Sequence, residues 1–207
     1  MNGGIGELTS AAEEKPLPVP GEGIHIKHVA IGRGTQNYTC ANTTATPKAT
    51  GAVATLFDAT CLSATHPDIL NSLSALAISY SPSPLPFASS TSNAGFGDGP
   101  IPELGPSALG VSGVHYFDAE GVPFFDLARG GAGSVAVEKK ASSPAPPDAG
   151  VGPKGEKAVG WLQLVRVEGS EARGGLEDVY RVGTVGGSAP ESCKDMPESF
   201  EVEYAAQ

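Results

Sequence analysis

Residues Ile31 to Asn42 read IGRGTQNYTCAN, and the fold turns on whether these glycines open a nucleotide loop or belong to β-structure. A dinucleotide loop needs a strand, then GxGxxG, then a helix whose N-terminus faces the pyrophosphate. Gly32 and Gly34 fit the first two positions, but Asn37 stands at the third. The following TQNYTCANTT is made of β-branched and turn residues and carries no helix signal. GFGDGP and GGAGS, further along, open no helix either. The stretch therefore reads as β.

Working outward, GIHIKHVAI alternates, with Ile24, Ile26, His28 and Ala30 on one face, the period of a strand. Gly32-Arg33-Gly34 is expected to turn the chain, and TQNYTCA to return as a second strand. GAVATLFDAT reads as a buried strand, and GVSGVHYFDAEGVPFFDL as a hairpin turning at Ala119-Glu120-Gly121. Ser134 to Lys139, AVGWLQLVRVEG, EDVYRVGTVGG and FEVEYAA supply further strands. One helix is expected in HPDILNSLSALAIS. Pro67 suits its first turn, with Thr65 or His66 as cap, and Ile69, Leu70, Leu73, Leu76 and Ala77 recur at helical spacing. Ser81 to Ala108 and Ser142 to Lys157 are long Pro/Gly loops. With eight to ten strands and no βαβ alternation, the expected class is all-β. It is a mainly antiparallel sandwich or partly closed barrel with one short helix.

The chain has 207 residues, enough for one full core. Residues 1–22 read as a flexible N-terminal leader and 23–207 as a single β domain. Gly (28) and Pro (18) are abundant and charged residues few (17%), which favours short strands and many turns. The formal charge of −10, with no basic stripe, argues against nucleic acid and against anionic membrane surfaces. No apolar run approaches the roughly 18 residues of a membrane span.

Cys40, Cys61 and Cys193 are too widely spaced for a metal knuckle. They are either three reduced thiols or one disulfide with an orphan. Asn37-Tyr38-Thr39 and Asn42-Thr43-Thr44 are N-glycosylation triplets if the chain is secreted. His25 and His28, three apart in a strand, point to opposite faces, so no metal site is expected, and no cofactor.

His115, Tyr116 and Asp118 form the most suggestive chemical cluster, His115 as a general base or ligand contact. Strand alternation puts His115 and Asp118 on opposite faces, so a direct dyad needs a bulge. Asp58, Asp118 and Asp126 are candidate carboxylates, with turn-capping as the simpler role. Trp161 reads as a packing residue. Gln36, Tyr38, Tyr180 and Arg181 are expected to share a surface. Arg181, set between apolar residues, should pair with an acid or line a polar cavity.

GRGTQNYTC, ATLFDATC, VHYFDAEGVPFFDL, VGWLQLVRVEG and VYRVGTVGGSAPESC occur in that order. The set resembles the family called domain of unknown function 3455, in its fungal secreted branch, from about Ile24 to Cys193. The resemblance implies an extracellular location with a leader peptide outside this chain. It also implies a Cys40–Cys193 disulfide, with Cys40–Cys61 as the rival pairing. Bacterial members have a longer segment after the histidine than HYFDAEG. Many members carry the label malate dehydrogenase, which conflicts with the loop chemistry above. The expected function is a secreted or cell-surface protein binding a carbohydrate or small apolar ligand, through Gln36, Tyr38, His115 and Arg181. The alternative is a hydrolase or lyase using His115 with an acidic partner such as Asp118. An NAD-dependent malate dehydrogenase ranks last.

Overall fold

A computed structural model describes residues 16–80, 104 and 107–207. Nine strands form one antiparallel sheet: β1 (Ala30–Thr39), β2 (Lys48–Asp58), β3 (Val111–Phe117), β4 (Pro123–Leu127), β5 (Gly133–Ser143), β6 (Trp161–Arg166), β7 (Asp178–Arg181), β8 (Val185–Gly186) and β9 (Ser199–Ala206). Their order is β7-β6-β5-β4-β3-β2-β1-β9-β8. The first seven strands meander, and β9 then returns to the free side of β1.

The expected turn at Gly32-Arg33-Gly34 is not a turn. β1 runs straight through it, pairing Gly32 with Leu56 and Gly34 with Ala54. The preceding segment, whose alternation suggested a strand, is irregular, with Ile24 and Ile26 exposed. The glycines serve close approach instead. A Cβ on Gly34 would lie 1.8 Å from the Val53 carbonyl oxygen, and one on Gly113 2.0 Å from that of Asp126. Both neighbours are backbone, so a side chain at either position could be accommodated only by moving a strand. Such glycines let a sheet bend sharply.

The sheet curls accordingly. Tyr204, Gly34, Ala54, His115, Phe125 and Val135 are cross-strand partners in one row over six strands. Directly opposed residues point to the same face. On that face Tyr204 of β9 packs in one cluster with Leu164 of β6, although five strands lie between. Only a curled sheet brings them together. Just beyond β7 and β9, Val182 and Gln207 exchange backbone hydrogen bonds of 2.9 and 2.8 Å. The continuous stretch Asp178–Gly186 thus pairs with β6 through its first half and with β9 through its second. Of the two expected architectures, the partly closed barrel is the one observed.

Among the described residues two helices, not one, cover the outer face: α1 (Thr60–Thr65) and α2 (Pro67–Ala77). His66 separates them and caps α2 without a side-chain hydrogen bond, while Pro67 occupies the first turn. Leu70, Leu73 and Ala77 are buried against Ile31, Phe57, Val111 and Ala205. Ile69 and Leu76, also at helical spacing, remain exposed. The hairpin turn forms at 118–122 as expected, and β5 extends to Ser143, beyond its expected end. Most of the expected leader (residues 1–15) and of the first long loop (81–103, 105–106) lies outside the described residues.

Candidate functional site

Cys40 and Cys193 form a disulfide, with Cα atoms 5.7 Å apart, and Cys61 is free and exposed. The bridge joins the end of β1 to the loop before β9. It thereby brings TQNYTC beside YRVGTVGGSAPESC. Tyr38 donates its hydroxyl proton to the Gly187 carbonyl at 2.7 Å. Gly187 has φ +93°, and a Cβ there would stand 2.8 Å from Tyr204 Cβ and 3.3 Å from Gln36 Cγ. Its backbone therefore presses against two inward-facing side chains and leaves no room for a third.

Four residues expected to bind ligand, Gln36, Tyr38, His115 and Arg181, are brought together with Tyr204. Gln36 lies in the ladder between Ala52 and Val202, and Gly34 between Ala54 and Tyr204, so both rows share the inner face. Arg181 faces Leu162, which packs against the same inner core. The positive charge of Arg181 acts on His115, Tyr38 and Tyr204 alike. Tyr180, one residue earlier, points away and donates its hydroxyl to the Pro18 carbonyl.

The polar atoms of this cluster are poorly satisfied. Arg181 Nη2 donates to the Gly160 carbonyl at 2.9 Å, but Nε is buried without a partner among the described residues. Gln36 is 7% exposed, and its Nε2 closes no hydrogen bond of full geometry. The amide still lies near enough to the Tyr204 oxygen to favour the phenolate. Burial outweighs this, and the net effect raises the Tyr204 pKa, so the hydroxyl keeps its proton. Buried donors without acceptors are uncommon, because each forfeits its hydration.

His115 takes a different part. Its ring stacks on Phe125 at a centroid distance of 4.2 Å, and Nδ1 lies 3.0 Å from the Phe124 carbonyl. A carbonyl only accepts, so Nδ1 carries the proton and Nε2 the lone pair. Burial, with a smaller contribution from Arg181, lowers the pKa from 6.5 to about 4; the Phe124 hydrogen bond opposes this. The imidazole is neutral in the folded protein at neutral pH. Between pH 6.5 and about 4 the unfolded chain binds a proton that the folded chain does not. The stability contributed by the neutral ring is therefore complete above pH 6.5 and lost as the pH falls through 4. The loss amounts to roughly 3 kcal/mol. Urea titrations from pH 7 to 4 should show that fall, and His115→Gln should flatten it. An unchanged slope in the variant would assign the proton elsewhere.

The expected His115–Asp118 dyad is not assembled. Asp118 Oδ1 accepts the backbone N–H groups of Glu120 (3.1 Å) and Val122 (2.7 Å), holding the hairpin turn. Asp58 and Asp126 likewise accept from Thr60 and Ala128 two residues on. His28 is occupied at both nitrogens, by Ser112 Oγ (2.9 Å) and Thr60 Oγ1 (3.1 Å). Trp161 faces away from Leu162, and its indole N–H is buried without a partner among the described residues. Asn42 is exposed, its amide oxygen accepting from Thr44, whereas Asn37 is half-buried in β1.

Residue-by-residue reading missed Tyr204 and Gly187. A signal for Tyr204 was present in the small residues Gly32, Gly34, Ala52 and Ala54 on one face of β1 and β2. That row leaves a volume only a large side chain from another strand can fill.

A family model described as protein of unknown function (DUF3455) matches residues 20–207. The chain belongs to the DUF3455 family. Neither a curated protein nor a solved structure matches it. The motifs that carry the family resemblance are thus the ones the fold gathers: Gln36 and Tyr38 from one, Arg181 and Gly187 from another, with the disulfide joining them.

Proposed function

We propose that this DUF3455 protein is a secreted binding protein that takes a small polar ligand into the interior of its curled sheet. One observation carries the reading: polar side chains from two distant motifs converge on the inner face and leave buried donors unpartnered. A purely structural interior would be filled by apolar groups, as it is around Leu56, Val135 and Leu164. Binding sites, by contrast, combine an apolar wall with a few directed polar groups. Phe117, Phe125, Leu162 and Val179 supply such a wall and are only half-buried.

The disulfide supports an oxidising compartment. No helix among the described residues is long and apolar enough to cross a membrane. In that setting exposed Asn42, rather than Asn37, carries the glycan. Crystals soaked with a fragment set of monosaccharides, short alcohols, amides and acids test the reading. Density against Gln36 and Arg181 is the expected result. Fragments confined to the groove lined by Asn37, Tyr38, Thr50, Phe200 and Glu201, with no density against Gln36 or Arg181, would sink it.

A further inference from the structure

The interior cluster contains a charge without a counter-charge. The chain has 23 acidic residues against 13 basic ones, so carboxylates are plentiful. Arg33 is paired with Glu203 and Arg166 with Glu177. Arg181, half-buried with its Nε fully buried, forms no ion pair among the described residues and gives one hydrogen bond to a neutral carbonyl. Its electrostatic neighbours are the phenols Tyr204 and Tyr38, both of which burial keeps protonated, and the neutral His115. A guanidinium does not shed its proton to escape burial. Buried charges in folded proteins are paired or bind an ion. Arg181 acts electrostatically on the Tyr204 hydroxyl, which lies beside the Gln36 amide, and among the described residues Arg181 Nε and Gln36 Nε2 are buried with no hydrogen bond of full geometry.

We propose that the interior ligand is a small monocarboxylate, its oxygens taking hydrogen bonds from Arg181 Nε, Gln36 Nε2 and the Tyr204 hydroxyl. The proposal rests on the binding function above and names its ligand class. One guanidinium with one arm committed to Gly160 matches a single negative charge. A phosphate dianion would leave charge uncompensated inside a chain of net charge −10. The apolar body of the ligand lies toward the half-buried side, against Phe125, Phe117, Leu162 and Val179. The inner wall made by Ala52, Ala54 and Leu56 is fully buried and offers no such room.

The test compares thermal midpoints with hexanoate, its neutral isostere hexanamide, and inorganic phosphate, each at millimolar concentration. Hexanoate is expected to raise the wild-type midpoint with rising concentration, as any ligand of the folded state must. Hexanamide and phosphate are expected to leave it in place. Arg181→Met removes a half-buried charge that has no acidic partner among the described residues. Without ligand it should match or exceed the wild-type midpoint, and it should ignore hexanoate. Arg181→Lys, which keeps the charge but loses the planar donor, should fold and respond at least tenfold more weakly. Equal stabilisation by hexanamide in wild type and Arg181→Met would overturn the carboxylate and leave the interior binding function standing. A wild type indifferent to hexanoate, benzoate and pyruvate, with Arg181→Met less stable than wild type, would make Arg181 a structural clip. The carboxylate assignment then fails, and the fragment soaks above decide the function independently.

Discussion

Removing the Cys40–Cys193 bridge by a double alanine substitution is expected to lower the unfolding free energy by about 5 kcal/mol. The half-cystines stand 153 residues apart, so the bond constrains most of the unfolded chain. In the folded protein the same ends are already held by other bonds. Cys40 N–H donates to the Glu198 carbonyl and Cys193 N–H to that of Ala45, both at 2.8 Å. The ladder of β1 with β9 begins at the next residue, Thr39 opposite Ser199. The double variant should therefore keep its circular dichroism spectrum while its urea midpoint drops. Cys193 is fully buried, so reductant should act on the native protein only after local opening. A midpoint shared by the oxidised protein and the variant would show that the bridge contributes nothing. Cys61 offers a control: it is exposed at the surface of α1, and Cys61→Ser should change the midpoint by less than about 0.5 kcal/mol.

Arg33→Met is expected to cost about 3–5 kcal/mol, the range for breaking a buried charged network from one side. Arg33 is 3% exposed, and it ties the end of α2 to the sheet. Its Nε donates to the carbonyls of Ala77 (3.1 Å) and Tyr80 (3.0 Å). Nη1 reaches the Gly34 carbonyl at 2.9 Å, and Nη2 pairs with Glu203. The C-terminal carbonyls of a helix have no partners within the helix, and a cation there also meets the negative end of the helix dipole. Methionine fills the volume but takes the guanidinium donor from both carbonyls, leaving that of Ala77 with only the Tyr80 N–H at 3.1 Å. Arg33→Lys should recover only part of the loss, since an ammonium cannot address three directions in the plane of the guanidinium. Glu203→Gln should cost no more than about 1 kcal/mol, because Glu203 is 40% exposed and solvent screens the pair. Chemical denaturation of the three variants checks the order. If Arg33→Met and Glu203→Gln proved equally mild, the helix-end contacts would be energetically idle.

The strand count, the antiparallel order and the hairpin at Asp118 were legible because they are local. Alternation over a few residues, a turn signal and a proline at a helix start need no knowledge of distant partners. The error at Gly32-Arg33-Gly34 shows the limit. Two glycines flanking an arginine look like a turn, yet here they thin a strand so that β2 can approach it, and Arg33 serves a helix more than forty residues away. The extra short helix α1 escaped because TCLSAT offers the core a single apolar residue, Leu62, and no periodic face. At the candidate site, Gln36, Tyr38, His115 and Arg181 were identifiable as polar residues in apolar strands. Tyr204 was not identifiable from its own segment, since nothing in FEVEYAA distinguishes an inward tyrosine from a surface one, and the small residues opposite it reveal the gap only once the strands are paired.

What the sequence alone determined is the class of element, the alternation of faces, and, through its motifs, the family. Those follow from side-chain period and backbone preference, which act over a few residues. The tertiary structure decided which face became the inside. It did so by curling the sheet until β7 and β9 met through Val182 and Gln207, which set Arg181 beside Tyr204 with no acid paired to it among the described residues. Curl accumulates from small bends spread over nine strands, and no single segment encodes the sum.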